Sequence, residues 1–224
     1  MNVLLSVFEC NPLKGSDSYV GWSYVISAAK YNNVYALTRT ANKADIEKYC
    51  VDNHVDLKKI HFIYVEQSKL FTEKIYKINR YFGFLGSYFV WQKAAYKAAR
   101  KLSDNVQINV CHHVSIAYFR CAGELWKLKS PFVFGPVGGQ ETPKCFSEYV
   151  NSHWKSELFR KCMNRITTLV PSYHRALQRA AIVYSSNDET SECLRKRMSR
   201  LDRNKLVQMT ELCIDKDYLD EREK

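Results

Sequence analysis

Along the chain, short apolar runs alternate with longer segments in which apolar residues recur at helical spacing. Residues 3–8, Val-Leu-Leu-Ser-Val-Phe, are apolar nearly throughout, as a strand covered on both faces requires. Residues 19–31 carry Val20, Tyr24, Val25, Ala28 and Ala29 at helical spacing, and Asn32-Asn33 ends the pattern. A second strand is expected at 34–38. A helix follows at 43–51, with Asn42 as its cap and Asp45 in its first turn, and then a third strand at 60–65. A fourth strand is expected at 108–111, ending at His112-His113. After it come a helix over 115–128 with Ser115 as its cap and a short strand at 131–134. Residues 153–169 read as a basic amphipathic helix stopped by Pro171, and 173–179 as a short helix. A strand at 181–185, a helix over 187–198 with a Ser186–Glu189 capping box, and a last strand at 206–209 complete the pattern. Strands spaced by helices of this length need βαβ crossovers. The expected fold is α/β, a mostly parallel sheet with helices on both faces.

Three of these strands end in unusual connections. Residues 10–22 read Cys-Asn-Pro-Leu-Lys-Gly-Ser-Asp-Ser-Tyr-Val-Gly-Trp. Gly15 and Gly21 let backbone come close to a bulky neighbour, and the next helix offers unpaired N–H groups and a partial positive charge. That suits a phosphate, although the spacing matches neither the P-loop nor the dinucleotide fingerprint, and a plain βα turn is the other reading. The second end is His112-His113, whose rings strand alternation sends to opposite sides, so that one of them faces the cleft. The third is Gly-Pro-Val-Gly-Gly-Gln-Glu at 135–141, a side-chain-poor loop. In a doubly wound sheet all three fall on one edge, where such sheets bind ligands.

Residues 69–101 stand apart. They hold Lys69, Lys74, Lys77, Arg80, Lys93, Lys97, Arg100 and Lys101 against the single acid Glu73, interleaved with large aromatics. Gly83 and Gly86 suggest two helices with a bend near Phe84. Cations beside exposed rings are what an interfacial membrane helix uses, which makes Lys74, Lys77 and Arg80 candidates for a membrane surface. Packing of the same aromatics on the sheet, or stacking on nucleic acid, would use the same composition.

The 224 residues suit one α/β domain, and a net charge of +11 points to an anionic partner. Eight cysteines without close pairs or a C-x-x-C, several inside apolar runs, read as a reduced cytosolic chain. No basic residue precedes the first apolar run, so no signal peptide is expected, and no run approaches a membrane span. A G-x-S-x-G elbow, H-E-x-x-H, Walker A and C2H2 patterns are all absent from the sequence, and Cys111, His112, His113 and Cys121 fit no common zinc spacing.

Taken together, the opening 3–12 with Lys14-Gly15-Ser16 and Gly21-Trp22, Leu37-Thr38-Arg39, His112-His113-Val114-Ser115 and 134–141 resemble the N-terminal domain of group 1 (family 4) glycosyltransferases. The resemblance implies a single Rossmann-like domain over 1–210, the N-terminal half of a GT-B fold. Residues 211–224, with Glu211-Leu212-Cys213-Ile214-Asp215, would begin the interdomain linker. It further implies transfer of a sugar, with retention, from a nucleotide-sugar to a glycan or lipid-linked acceptor. No catalytic metal and no cofactor beyond the nucleotide-sugar co-substrate are implied. His112 or His113, with His113 slightly favoured, would touch the transferred sugar or orient the acceptor. Gly15, Ser16 and Gly21 would meet the donor phosphates, and Gly138, Gly139 and Glu141 would line the acceptor side. Gly15-Ser16 replaces the paired glycine usual in much of the family. A donor domain of roughly 150 further residues is missing, so the chain is expected to be inactive alone. The expected setting is the cytoplasm, peripheral on the inner face of a membrane, without nucleic acid. The alternative from another class is a non-catalytic Rossmann-like binding domain whose basic face meets nucleic acid or an acidic partner.

Overall fold

Leu4, Leu5, Val7 and Phe8 are buried at the centre of a parallel sheet. A computed structural model describes residues 1–139, 147–200 and 202–210. Among them the strands are β1 (Asn2–Val7), β2 (Asn33–Arg39), β3 (Ile60–Val65), β4 (Val110–Ser115), β5 (Phe132–Val137), β6 (Ala180–Ser185) and β7 (Leu206–Gln208). They lie in the order β3-β2-β1-β4-β5-β6-β7, and every neighbouring pair is parallel. The order is Rossmann-like: the chain winds outward from β1 to β3, then crosses back to β4 on the other side of β1. The switch point is therefore between β1 and β4.

The helices are α1 (Asp17–Ala29), α2 (Lys43–Asp52), α3 (Arg80–Ser103), α4 (Trp154–Thr168), α5 (Pro171–Arg179) and α6 (Asp188–Arg197), with a shorter one at Ser147–Ser152. Alternation along the strands divides the core in two. Val3, Leu5, Val7, Val34, Ala36 and Val114 pack against Trp22 and Val25 of α1 and Ile46 of α2. Leu4, Phe8, Cys111, Phe132, Phe134 and Val183 face Tyr88, Trp91 and Ala95 of α3 and Leu177 of α5. Phe8 meets Trp91 and Tyr88 edge to face, at 5.0 and 5.2 Å between ring centroids. Fully burying a side chain of this kind contributes about 1.5–3 kcal/mol. The six described cysteines at 10, 50, 111, 121, 162 and 193 are all free.

Several expected elements shift. β4 runs on to Ser115, so His112 and His113 are interior to the strand rather than at its end. Residues 116–124 form no helix; they continue beside β5, where Gly138 N–H donates to the Ala117 carbonyl and Phe119 N–H to that of Gly138. Only Leu125–Lys127 makes a short helical turn. The break in the basic aromatic region is at Asn79, not near Phe84. A π-helical stretch at Leu70–Ile75 and a turn at Tyr76–Ile78 end there, and the extended Asn79 caps α3 by accepting from Phe82 N–H. Gly83 and Gly86 serve contact instead: a Cβ at Gly83 would fall 2.5 Å from Tyr76 Cα, and one at Gly86 2.2 Å from the Phe71 ring. Asn42 does not cap α2; its amide donates to the Phe8 carbonyl and Thr38 Oγ1, tying β1 to β2. The cap of α6 is Asn187, accepting from Thr190 N–H, while Ser186 donates to the Val137 carbonyl. Pro171 opens α5 at its first turn as well as following α4.

Candidate functional site

The connection after β1 is held by Asn11, which is fully buried. Its backbone N–H donates to the Ser18 carbonyl, its Oδ1 accepts from Leu13 N–H at 2.9 Å, and its Nδ2 donates to Asp45 at 2.6 Å. That is the local turn chemistry for which Asn is suited. The Asn11 hydrogen bond, then Lys14, holds the Asp45 carboxyl below its usual range. Gly21 sits where α1 crosses the end of β1, and a Cβ there would be 2.0 Å from the Glu9 carbonyl oxygen. Gly15 is exposed, with nothing within 4 Å of a Cβ built on it. Ser16 precedes α1 at φ 57°, a left-handed conformation unusual for a residue with a side chain, and its hydroxyl makes no cap. The first turn of α1 is thus reached through exposed backbone at 15–16.

Glu9 closes the other side of this edge. Its carboxylate pairs with Arg39 at the end of β2 and accepts from Ser18 Oγ at 3.0 Å. The Arg39 guanidinium also lies over the Phe8 ring, 4.8 Å from its centroid. Ser115, at the end of β4, receives Glu9 N–H and donates to the Glu9 carbonyl at 2.9 Å, bridging the switch point.

The histidines face opposite layers, as alternation requires. His112 turns toward α1, with its ring 5.6 Å from Tyr24 and its Nε2 2.6 Å from the Gly135 carbonyl. His113 turns toward α3, fully buried, with Nε2 3.0 Å from the Tyr88 hydroxyl and no partner at Nδ1. Burial pushes the His112 pKa down to about 4 and that of His113 to about 3, the latter also through repulsion from His112. Both rings are neutral near pH 7, so they orient groups or relay hydrogen bonds rather than supply charge.

Gly138 is buried in its pairing with residues 117–119 and Gly139 is exposed beyond it at φ 81°; Glu141 is outside the described residues. Lys74, Lys77 and Arg80 are exposed on the wide helical segment and the start of α3. The structure therefore brings Gly15, Ser16, Gly21, Gly138 and Gly139 to one sheet edge, with the two histidines below it inside the sheet.

A polar group in the α3 layer was missed by sequence reasoning. Ser6, opposite His113 in register, carries a buried hydroxyl without a partner, and Gln92 is 2% exposed, one helical turn beyond Tyr88 and within its reach. Gln92 could have been found: it occupies an apolar stripe with Tyr88, Trp91, Ala95 and Ala99, where a polar residue breaks the pattern.

The fold and its edge define a class, a doubly wound Rossmann-like α/β domain with its switch point between β1 and β4. No protein-family model matches the chain, and no curated protein matches it.

Proposed function

We propose that the chain is the acceptor-side half of a retaining GT-B glycosyltransferase, moving sugar from a nucleotide-sugar to a glycan or lipid-linked acceptor. The observation that carries the reading is the exposed entrance to the first turn of α1: Gly15 in open space and Ser16 held at φ 57° beside the β1–β4 crevice. Backbone N–H groups at such a helix start complement the charge that grows on a departing diphosphate, and do so without reorganising. Donor contacts from a second domain are required for transfer, so residues 1–224 alone are inactive in this reading. Amide-resolved NMR titration with UDP and GDP is the test. Saturable shifts at residues 15–19 are expected. Absence of shifts there for both nucleotides at millimolar concentration, or sugar turnover by the isolated chain, would count against it. Salt-dependent binding of DNA without any nucleotide response would favour the nucleic-acid alternative.

The same proposal includes contact with an anionic membrane face. Large apolar side chains are exposed on 70–90, including Leu70, Ile78 and Phe82, and on α4, including Trp154 and Leu158. The two segments meet where Phe159 packs on Tyr81, at 5.3 Å between ring centroids. Lys74, Lys77 and Arg80 lie on the first segment. Rings for the acyl boundary beside cations for headgroups support peripheral binding. Among the described residues no helix is long and apolar enough to cross a membrane. Flotation with phosphatidylserine vesicles, lost when Lys74, Lys77 and Arg80 become Glu, is the expected result; unchanged flotation of that variant removes the claim.

A further inference from the structure

β3 is the outermost strand on one side of the sheet, paired with β2 alone. The ladder with β2 fixes which of its backbone groups point outward. Val34 is in register with Ile60, and Val34 N–H donates to the Lys59 carbonyl, so residues 59, 61, 63 and 65 turn their backbone groups toward β2. Ile60, Phe62 and Tyr64 turn theirs away. Ile60 N–H donates back to the Leu57 carbonyl at 3.0 Å. The Ile60 carbonyl and both backbone groups of Phe62 and of Tyr64 have no hydrogen-bond partner among the described residues.

Proteins commonly blunt such an edge with a proline, a charge or a bulge. Residues 60–65, Ile-His-Phe-Ile-Tyr-Val, hold no Pro, Lys, Arg, Asp or Glu. Their register with β2 runs unbroken from Ile60 to Val65. Phe62 stacks on Trp22 of α1 and on Tyr64, at 6.2 and 6.0 Å between ring centroids, which holds the strand in place. A fixed, unblunted edge is a template for another strand.

The flanking charges say which strand. Lys58 and Lys59 precede β3 and Glu66 follows it; all three are exposed, and none is ion-paired among the described residues. A strand with cations at its start and an anion at its end is complementary to its own reversed copy. Antiparallel pairing sets outward-facing residues against outward-facing residues. With Phe62 on a two-fold axis, Phe62 opposes Phe62 of the second copy, Ile60 opposes Tyr64, and Lys58 opposes Glu66. Phe62 N–H then donates to the Phe62 carbonyl of the second copy and Tyr64 N–H to that of Ile60, each reciprocally. Sliding the strands by two residues sets Lys58 against Tyr64 or Glu66 against Ile60, and the ion pairs are lost.

We propose that β3 is a dimerisation edge, at which two copies of the chain pair antiparallel about Phe62 to form one continuous sheet. The two-fold closes the assembly at a dimer, since each copy covers the edge of the other. The inference stands on the free backbone groups and the flanking charges, and does not rest on the transferase reading.

The test is sedimentation equilibrium of the whole chain over about 1 μM to about 1 mM, with amide hydrogen exchange at both ends of that range. A monomer–dimer equilibrium is expected, with exchange at the Phe62 and Tyr64 amides slowing as concentration rises. Lys58→Glu and Glu66→Lys should each weaken association about tenfold, because each sets like charges opposite one another at both ends of the paired strands. Lys58→Glu combined with Glu66→Lys should restore it. Both side chains are exposed, so these variants should fold as the parent does. A chain monomeric throughout would overturn the proposal, as would single reversals that associate like the parent or a double variant no tighter than the singles. A dimer that protects residues 70–90 or α4 and leaves the Phe62 and Tyr64 amides exchanging freely would place the interface elsewhere and overturn it too.

Discussion

Replacing Gly21 by Ala should destabilise the protein, although helix propensity argues the other way. Gly21 is inside α1, where Ala is favoured over Gly by about 1 kcal/mol. Against this, the added methyl would sit 2.0 Å from the Glu9 carbonyl oxygen and 3.1 Å from its carbon. Both are backbone atoms, so no side-chain rotation relieves the contact. Glu9 is itself fastened by Ser115 on one side and through its carboxylate by Arg39 and Ser18 on the other. Overpacking of this kind costs about 1–3 kcal/mol and more where the neighbour cannot yield. The net expectation is a loss of about 2 kcal/mol, a fall in melting temperature of about 4–8 °C for a chain of this size. The control is Gly15→Ala. Its Cβ meets nothing within 4 Å, and its backbone carries no positive φ. It should be neutral or stabilise by up to about 1 kcal/mol, through the unfolded chain. Thermal and urea denaturation of the two variants side by side is the assay. A Gly21→Ala protein as stable as the parent would refute the close α1–β1 crossing, and with it the placement of the helix start at the crevice.

Removing one partner of the Glu9–Arg39 pair with Arg39→Met should cost about 2 kcal/mol, less than the 3–5 of a fully buried pair, and Glu9→Gln added to it should recover part of the loss by urea denaturation. Asn187→Ala should cost about 1 kcal/mol as a lost cap, and Ser186→Ala clearly less; equal costs would restore Ser186 as the cap. The histidines predict a pH dependence. Their folded-state pKa values are depressed, so the unfolded chain takes up protons that the folded chain refuses, and stability falls as pH drops below about 6.5. Between pH 6.5 and 5 each histidine contributes a slope of up to about 1.4 kcal/mol per pH unit, and His113→Phe should halve the combined slope. A denaturation midpoint independent of pH over that window would show that the rings are solvated.

Much of the architecture was legible because it rests on local pattern. The apolar runs of β1, β2 and β3 and the helical spacing of α1 and α2 depend on neighbours a few residues apart, and the elements fall within a residue or two of expectation. The clustering of the three connections at one edge also followed, since parallel strands put all their carboxyl ends together. Gly15, Ser16 and Gly21 stood out by composition, and His112 and His113 by sitting at an apparent strand end.

What only the tertiary structure decided depends on distant partners. β4 extends past the histidines because Ser115 finds Glu9 and Val7 across the switch point, contacts more than a hundred residues apart in sequence. Residues 116–124 carry enough apolar residues for a helix, but pairing of Ala117 and Phe119 with Gly138 draws them along the sheet. Gly83 and Gly86 read as a bend because the sequence does not reveal that Tyr76 and Phe71 lie against them. The capping groups moved for the same reason: Asn42 and Ser186 have local roles open to them, and carbonyls at Phe8 and Val137 take their hydrogen bonds instead. Local periodicity thus determined the elements and their order. Long-range hydrogen bonding and packing determined where the strands end, which ring faces which layer, and which polar groups are buried between α3 and the sheet.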